Sequence, residues 1–273
     1  MMRVLKTVLC ALCPVLFSAL PAIAQVSGPQ PLEGPIDHFE FLSRYDFQLE
    51  ANLIGGDSNP DLFRWDAHFG GEIDVFNYVK GRLTFVGDYE AVMGSELRPF
   101  DPVQGNYVLE PAVSWFAGNN EISFVFHHVS RHLSDRPKRI AIAFNIAEAR
   151  YLRKFNLDGT TLAVRAAVGH ILQHADVDYT WAADWDVTVV RPMTKYVQWY
   201  GRTTGEMYGT NPAIHGRADV QRTVRLEVGP RLIGKSADLE FFGGVERRLD
   251  AYELDYFRPA ATWAILGFRI ASK

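Results

Sequence analysis

The feature that most constrains the fold is an alternation of apolar and polar residues, with a period of two, that recurs along the chain. From Tyr45 to Leu53, for example, Tyr, Phe, Leu and Ala alternate with Asp, Gln, Glu and Asn. Successive side chains of a β-strand point to opposite faces, so this pattern predicts strands with one apolar and one polar face. We count twelve such segments, the last from Thr262 to Ile270. After the N-terminus, no apolar run reaches the length of a membrane-spanning helix.

The links between these segments alternate in length. Short links that are rich in Gly and Asn, such as Ala117–Asn120, are followed by longer ones, such as Leu133–Arg139. Tight hairpins favour such residues. Outer-membrane β-barrels combine short periplasmic turns, longer outer loops and an even number of strands. The sequence therefore predicts a 12-stranded antiparallel transmembrane β-barrel in the outer membrane.

The polar face of the predicted strands indicates which side contacts lipid. A soluble β-sandwich or a lipocalin-like barrel would show the same alternation. A small soluble barrel fills its interior with apolar side chains, whereas the polar face of nearly every segment here carries Asp, Glu or Arg. We therefore expect the apolar face to meet lipid and the charged face to line the lumen. The predicted lumen-lining residues are Glu72, Asp88, Glu90, Glu110, Arg165, Asp184, Asp186, Arg202, Glu206, Arg225, Glu227, Glu240 and Glu246.

The predicted lumen leaves two interpretations open. Ion pairs between these charges could plug the barrel, or the charges could line a narrow passage for small polar solutes. At the two membrane interfaces we expect girdles of aromatic side chains. The candidates for these girdles are Trp65, Trp115, Tyr179, Trp199 and Tyr208.

The N-terminus has the form of a secretory signal. Arg3 and Lys6 precede an apolar run from Val8 to Leu20, and the small-x-small sequence of a cleavage site ends at Ala24. The run is too short to span a membrane comfortably, which disfavours an uncleaved anchor. We predict a signal peptide over residues 1–24, a periplasmic N-terminal segment over 25–43 and the barrel over 44–273.

Composition excludes several other functions. The chain of 273 residues has a formal net charge of −4 with scattered Lys and Arg, which gives no footprint for nucleic acid. Both cysteines, Cys10 and Cys13, lie in the predicted leader, so the exported chain would have no thiol chemistry. No phosphate-binding loop is present, and we predict no cofactor. The expected partners are outer-membrane lipid and, during biogenesis, the barrel-assembly machinery.

One predicted strand, Glu121–His132, ends in a cluster of histidines and a serine. The lipid-facing side of this strand runs from Ile122 through two phenylalanines to His128 and Ser130. His128-Val129-Ser130 resembles the His-x-Ser dyad of outer-membrane phospholipase A and of the outer-membrane lipid A deacylases. The resemblance implies a lipid-facing serine nucleophile, Ser130, with His128 as its general base.

These families also have a third residue, an Asn or Glu on the next strand, that orients the base. Here we expect apolar side chains, Ile140 and Ile142, opposite the dyad, and Arg131 stands where those families have Asn. A base without an orienting group has an uncontrolled tautomer. The candidates for this role elsewhere in the chain are His132, Asp135 and His170.

The longer run from His128 to Asp135 also resembles the His-x-Ser-x-His-Leu-x-Asp pattern of a bacterial family of outer-membrane barrels that carries a domain of unknown function. That resemblance implies fold and location, and no activity. Adjacent residues of a strand face opposite ways, so His127 and His128 cannot chelate one ion, and we predict no metal site. The sequence favours a non-enzymatic narrow pore or structural envelope protein. The alternative is an outer-membrane lipid hydrolase that uses the His/Ser dyad.

Overall fold

The computed structural model describes residues 38–56, 59, 61–134, 142–211, 220–249 and 260–272. Its strands are β1 (Phe39–Gly55), β2 (Trp65–Tyr78), β3 (Arg82–Gly94), β4 (Asp101–Ala117), β5 (Asn120–Leu133), β6 (Ile142–Leu157), β7 (Thr160–Ala175), β8 (Tyr179–Pro192), β9 (Val197–Thr210), β10 (Val220–Ile233), β11 (Ala237–Arg248) and β12 (Ala261–Ser272). Each strand pairs with its sequence neighbours, and β1 pairs antiparallel with β12, which closes the barrel. The predicted 12-stranded antiparallel barrel is confirmed.

The links between strands are short at one end of the barrel and mostly longer at the other. The short turns are 79–81, 118–119, 158–159, 193–196 and 234–236. We call this end periplasmic and the other end outer, as in outer-membrane barrels. β1 begins at Phe39, before the predicted barrel boundary at residue 44, and its pairing with β2 shifts register between Phe41 and Arg44. The predicted signal peptide, and residues 25–37 of the predicted periplasmic segment, lie outside the described residues. Within the described residues, no helix is long and apolar enough to cross a membrane.

The outer surface of the barrel is apolar and the interior is charged. Tyr45, Phe124 and Leu266 are 58 to 75% exposed, whereas the carboxylates of Asp66 and Asp74 on the opposite face are fully buried. A soluble barrel would show the reverse arrangement. An apolar belt around a polar lumen is the architecture of a transmembrane β-barrel of the outer-membrane type. Of the predicted lumen-lining residues, six are buried: Glu72, Glu110, Asp186, Glu227, Glu240 and Glu246. Six others line cavities inside the barrel, namely Asp88, Arg165, Asp184, Arg202, Glu206 and Arg225, and Glu90 contacts Arg248.

The orientation of β6 differs from the prediction. In the sequence Ile142, Phe144 and Ile146 alternate with Ala143, Asn145 and Ala147, which predicts that the three bulky side chains face lipid, but all three are buried inside the barrel at 1% exposure. They pack there with Tyr179 and Tyr208, which were predicted to belong to the aromatic girdles. Near the outer end of β6, one face is apolar and the other has no charge, only Ala143, Asn145 and Ala147, so the alternation alone did not determine the orientation of the strand. An apolar cluster therefore fills this side of the outer lumen.

Elsewhere the lumen is filled by ion pairs that join distant strands. Arg269 on β12 contacts Glu50 on β1 at 2.6 Å, Glu227 on β10 at 2.8 Å and Glu240 on β11 at 2.5 Å. Near the periplasmic end, Arg82 contacts Asp74 at 2.8 Å and Glu121 at 2.7 Å, and it also reaches Glu72. These side chains bridge the interior. The network favours the plugged form of the lumen over the open one.

The filled lumen predicts that the wild-type protein gives no persistent ion conductance in planar lipid bilayers. Two cavities inside the lumen have volumes of only about 150 and 180 Å³. Arg202 lines both, and Glu110 lines the larger one. A persistent conductance that changes with Glu110→Gln or Arg202→Gln would contradict this prediction, because it would require a continuous aqueous path past these residues.

Candidate active site

A cluster of polar side chains lies on the outward surface, close to the outer end of β5, β6 and β7. His128 and Ser130 project from β5, where the lipid-facing side leaves the apolar belt. The strand register places Asn145 of β6 opposite His128 and Gln173 of β7 opposite Asn145. Three neighbouring strands thus each bring a polar group to one patch that faces the outer membrane interface.

A chain of hydrogen bonds orients the His128 ring. Its Nδ1 lies 2.6 Å from Asn145 Oδ1, and Asn145 Nδ2 donates to Gln173 Oε1 at 3.3 Å. Because the amide nitrogen of Asn145 donates to Gln173, the amide oxygen of Asn145 is the atom that faces the imidazole of His128. An amide oxygen only accepts, so His128 Nδ1 carries the proton and Nε2 keeps a lone pair. This tautomer is the one that a general base needs.

Ser130 hydrogen-bonds to a different histidine. Its Oγ lies 2.6 Å from Nε2 of His132, two residues further along the same face. The ring of Tyr107, which pairs with Ser130 across β4 and β5, meets the His132 ring edge-on with centroids 5.9 Å apart. The serine is therefore flanked by two imidazoles on one face, and the structure brings it into contact with His132.

Packing on both sides of the cluster restricts its movement. Behind it, Val129 is buried in the apolar cluster of the lumen. On the neighbouring strand β4, Gly105 pairs with His132. A Cβ at position 105 would lie 2.8 Å from the hydroxyl of Tyr89 and 3.0 Å from that of Ser134. The absence of a side chain at Gly105 thus lets Tyr89 approach, and its ring packs 4.9 Å from that of Tyr107. Fixed neighbours of this kind hold a reactive group in position.

The candidate residues of the sequence analysis have different outcomes. His132 contacts the serine instead of orienting His128. His170 is exposed on β7 and pairs with Ala147, so it lies further from the outer end of the barrel than Asn145 does. Among the described residues, no hydrogen bond joins His170 to His128 or Ser130. Asp135 and Ile140 lie outside the described residues. The predicted apolar neighbour Ile142 pairs with Arg131 and faces inward. Ser130 pairs with Ala143 and His128 with Asn145, so the expectation of an apolar partner was wrong for His128.

The orienting residue that the sequence analysis missed is Asn145. Because the prediction assigned Ile142, Phe144 and Ile146 to the lipid face, the alternation of the strand placed Asn145 in the lumen. A signal was nevertheless present, because Asn145 is the one amide among the small residues Ala143 and Ala147 on its face. A polar residue at that place on a lipid-facing strand needs an explanation, and a neighbouring histidine provides one.

His127, next to His128, belongs to the lumen and has a structural role. Its Nδ1 lies 2.9 Å from Glu148 Oε1 and 3.5 Å from Glu110 Oε1. Arg150 also contacts Glu110. The two adjacent histidines thus face opposite sides of the barrel wall, as the period of a strand requires.

Comparisons with known proteins give structural neighbours only. No protein-family model matches the chain, and no curated protein matches its sequence. Among solved structures, LpxR from Salmonella typhimurium is 8% identical, with 83% of this chain and 99% of that chain covered and a TM-score of 0.46. The outer-membrane expressed OmpT of Vibrio cholerae is 10% identical, with 84% and 96% covered and a TM-score of 0.42. The resemblances of the His/Ser motif to known families therefore stay predictions.

Proposed function

We propose that this outer-membrane barrel is a lipid acyl hydrolase, with Ser130 as the nucleophile. The observation that supports it is the geometry of the outward-facing cluster: a serine in contact with one histidine, next to a second histidine that an asparagine and a glutamine hold in a single tautomer. Nucleophile, base and orienting group are the components of an activated serine. Their position at the outer interface favours the acyl esters of outer-leaflet lipids as substrates.

In the proposed reaction, Ser130 Oγ attacks the ester carbonyl and transfers its proton to an imidazole. His132 Nε2 is already in hydrogen-bond contact with this hydroxyl and would accept the proton. The imidazolium then protonates the leaving alcohol, which leaves an acyl group on the serine. A water molecule, deprotonated by an imidazole, releases the fatty acid and restores the hydroxyl. The lone pair on His128 Nε2 makes this residue the second base of the cluster.

Single substitutions of the two histidines separate their roles. If His132 accepts the proton from Ser130, His132→Ala lowers the acylation rate, seen as a smaller burst of the released alcohol. His128→Ala then affects mainly the slower release of fatty acid. The opposite result would assign the acylating base to His128 and would require that the Ser130 hydroxyl turns from His132 towards His128. Activity that is unchanged in both variants would contradict the proposed function.

Asn145→Ala is expected to lower the hydrolysis rate by about 100-fold while the barrel still folds. The substitution removes the acceptor that fixes the proton on His128 Nδ1, so the ring can adopt the wrong tautomer. Release of fatty acid from phospholipid or lipopolysaccharide in detergent measures the effect. Asn145→Asp, which keeps an acceptor at the same place, should restore much of the rate. A control is Asn156→Ala, at the periplasmic end of the same strand, which should leave the rate unchanged.

The non-enzymatic interpretation predicts no fatty-acid release from any of these lipids. Within it, the ion pairs of the lumen favour a closed structural barrel over a pore. A ring of paired charges explains a stable barrel, but it does not explain the hydrogen-bonded amides beside His128 on the lipid face. That difference makes the hydrolase the better-supported function.

A further inference from the structure

We propose a second site in the outer half of the lumen, where Asp66, His68 and Glu90 bind one Zn²⁺ ion. The three side chains come from the adjacent strands β2 and β3. Asp66 Oδ1 lies 3.7 Å from His68 Nε2, and Glu90 Oε1 lies 3.6 Å from the same nitrogen. In a tetrahedral zinc site with bonds of about 2.0–2.1 Å, ligand atoms are about 3.3 Å apart. A contraction of a few tenths of an ångström around an ion would give that geometry.

A buried carboxylate oxygen without a hydrogen bond points to a ligand at this place. Asp66 is fully buried, and its Oδ1 accepts no hydrogen bond from any residue that the structure describes. The nearest donor, His68 Nε2, is too far away at 3.7 Å. A buried oxygen of a carboxylate is costly to leave unpaired, and a metal ion coordinated between Oδ1 and Nε2 would satisfy it.

A neighbouring carboxylate orients His68 for metal binding. Asp88 Oδ2 lies 2.9 Å from His68 Nδ1, so the proton of a neutral ring sits on Nδ1 and the Nε2 lone pair points at Asp66 and Glu90. Metal-binding histidines usually donate their other N–H to such a carboxylate. Gly70, which pairs with Asp88, makes the arrangement possible, because a Cβ there would be 2.3 Å from Asp88 Oδ1.

The charges around these residues leave a place for a divalent cation. Three carboxylates, Asp66, Asp88 and Glu90, surround the imidazole. Among the described residues, one guanidinium contacts this group: Arg248 lies 2.5 Å from Asp66 Oδ2 and 2.7 Å from Glu90 Oε1. Arg248 also contacts Glu246 at 2.6 Å, so with a neutral imidazole these four carboxylates and one guanidinium carry a charge of −3, most of which Zn²⁺ would balance. Arg248 holds Asp66 through Oδ2 and leaves Oδ1 available.

The chemistry of the three ligands favours zinc over harder cations. Imidazole nitrogen suits transition metals, whereas Mg²⁺ and Ca²⁺ prefer sites built of oxygen alone. The two cavities of the lumen adjoin the site, since one is lined by His68 and the other by Asp88. A hydrated ion in the lumen would therefore have room next to these ligands. The zinc site is separate from the outward-facing His/Ser cluster and does not depend on the proposed hydrolysis.

Zinc titration of the full-length, refolded barrel tests the site. After treatment with a chelator, competition with a chromophoric zinc indicator should show one ion bound per chain. His68→Gln and Asp66→Asn should lose this binding, and Asp88→Asn should weaken it by about tenfold or more. Two controls, His127→Gln in the lumen and His174→Gln at the outer end of β7, should keep it. Heat-modifiable migration on a denaturing gel shows whether each variant has folded.

Substitution with Co²⁺ distinguishes a defined metal site from non-specific attraction of cations to the carboxylates of the lumen. Co²⁺ at the site should give visible absorption bands of low-symmetry, tetrahedral type, and His68→Gln should remove them. The proposal is overturned if the wild-type protein binds no stoichiometric Zn²⁺, or if folded His68→Gln binds it as tightly as the wild type. Loss of binding in His127→Gln or His174→Gln would equally place the ion elsewhere.

Discussion

Ser130→Ala should lower the release of fatty acid from membrane lipid by at least about 1000-fold, the loss expected when a serine nucleophile is removed. The hydroxyl that the variant lacks is the group in contact with His132, and alanine offers no atom that can form the acyl intermediate. Ser130 lies on the outward face of β5, where it contributes little to packing. The variant should therefore fold, bind lipid and stay inactive.

The measurement is fatty-acid release by the refolded protein, with phospholipid vesicles and lipopolysaccharide as separate substrates. Thr180→Ala is the matched control, because Thr180 is an exposed residue near the same outer end of the barrel, and its hydroxyl donates to Gly209 O, away from the cluster. A covalent test is independent of turnover: a fluorophosphonate that labels activated serines should modify the wild type and fail on Ser130→Ala. Equal hydrolysis by wild type and Ser130→Ala would exclude the serine as nucleophile.

Most of the barrel could be predicted from the sequence, because one physical constraint acts on every strand. A strand with lipid on one side and paired charges on the other must alternate, and a residue such as Phe124 or Glu110 shows which side is which. The prediction of orientation was wrong for β6, where Ile142, Phe144 and Ile146 fill the lumen and small residues face out. On this side of the lumen, the interior is filled by an apolar cluster that includes Tyr179 and Tyr208, and not by paired charges.

The candidate site depended on that one strand. The dyad, His128 and Ser130, is visible in the sequence because its members are two residues apart on one strand. Its orienting residue, Asn145, comes from the next strand, so finding it requires both the register between β5 and β6 and the facing of β6. The local sequence pattern determines neither the register nor the facing, because a shift of the strand pairing by one residue moves every side chain of the strand to the other face. The zinc ligands likewise depend on the register between β2 and β3.

Replacing Arg269 with methionine should destabilise the barrel by about 3–5 kcal/mol, the usual effect of removing one partner from a buried ion cluster. Arg269 is 2% exposed, and its guanidinium contacts Glu50, Glu227 and Glu240, which lie on three other strands. Methionine keeps much of the side-chain volume and none of the charge. The remaining carboxylates would be buried with three other guanidinium contacts among the described residues, those of Arg225, Arg231 and, at 3.9 Å from Glu227, Arg202.

The position of Arg269 makes the effect larger than that of an average ion pair. β12 closes the barrel against β1, and the contact between Arg269 and Glu50 crosses this seam, where the two residues pair directly. Urea titration of the refolded protein in lipid vesicles, followed by tryptophan fluorescence, gives the change in free energy of unfolding. Arg222→Met, an exposed arginine of β10, should change it by no more than about 0.5 kcal/mol. Equal stability of both variants would mean that the charges of the lumen do not hold the seam closed. Because Arg269 and Glu50 pair across the contact that closes the barrel, a large loss confined to Arg269→Met would show that the lumen network stabilises the pairing of β1 with β12.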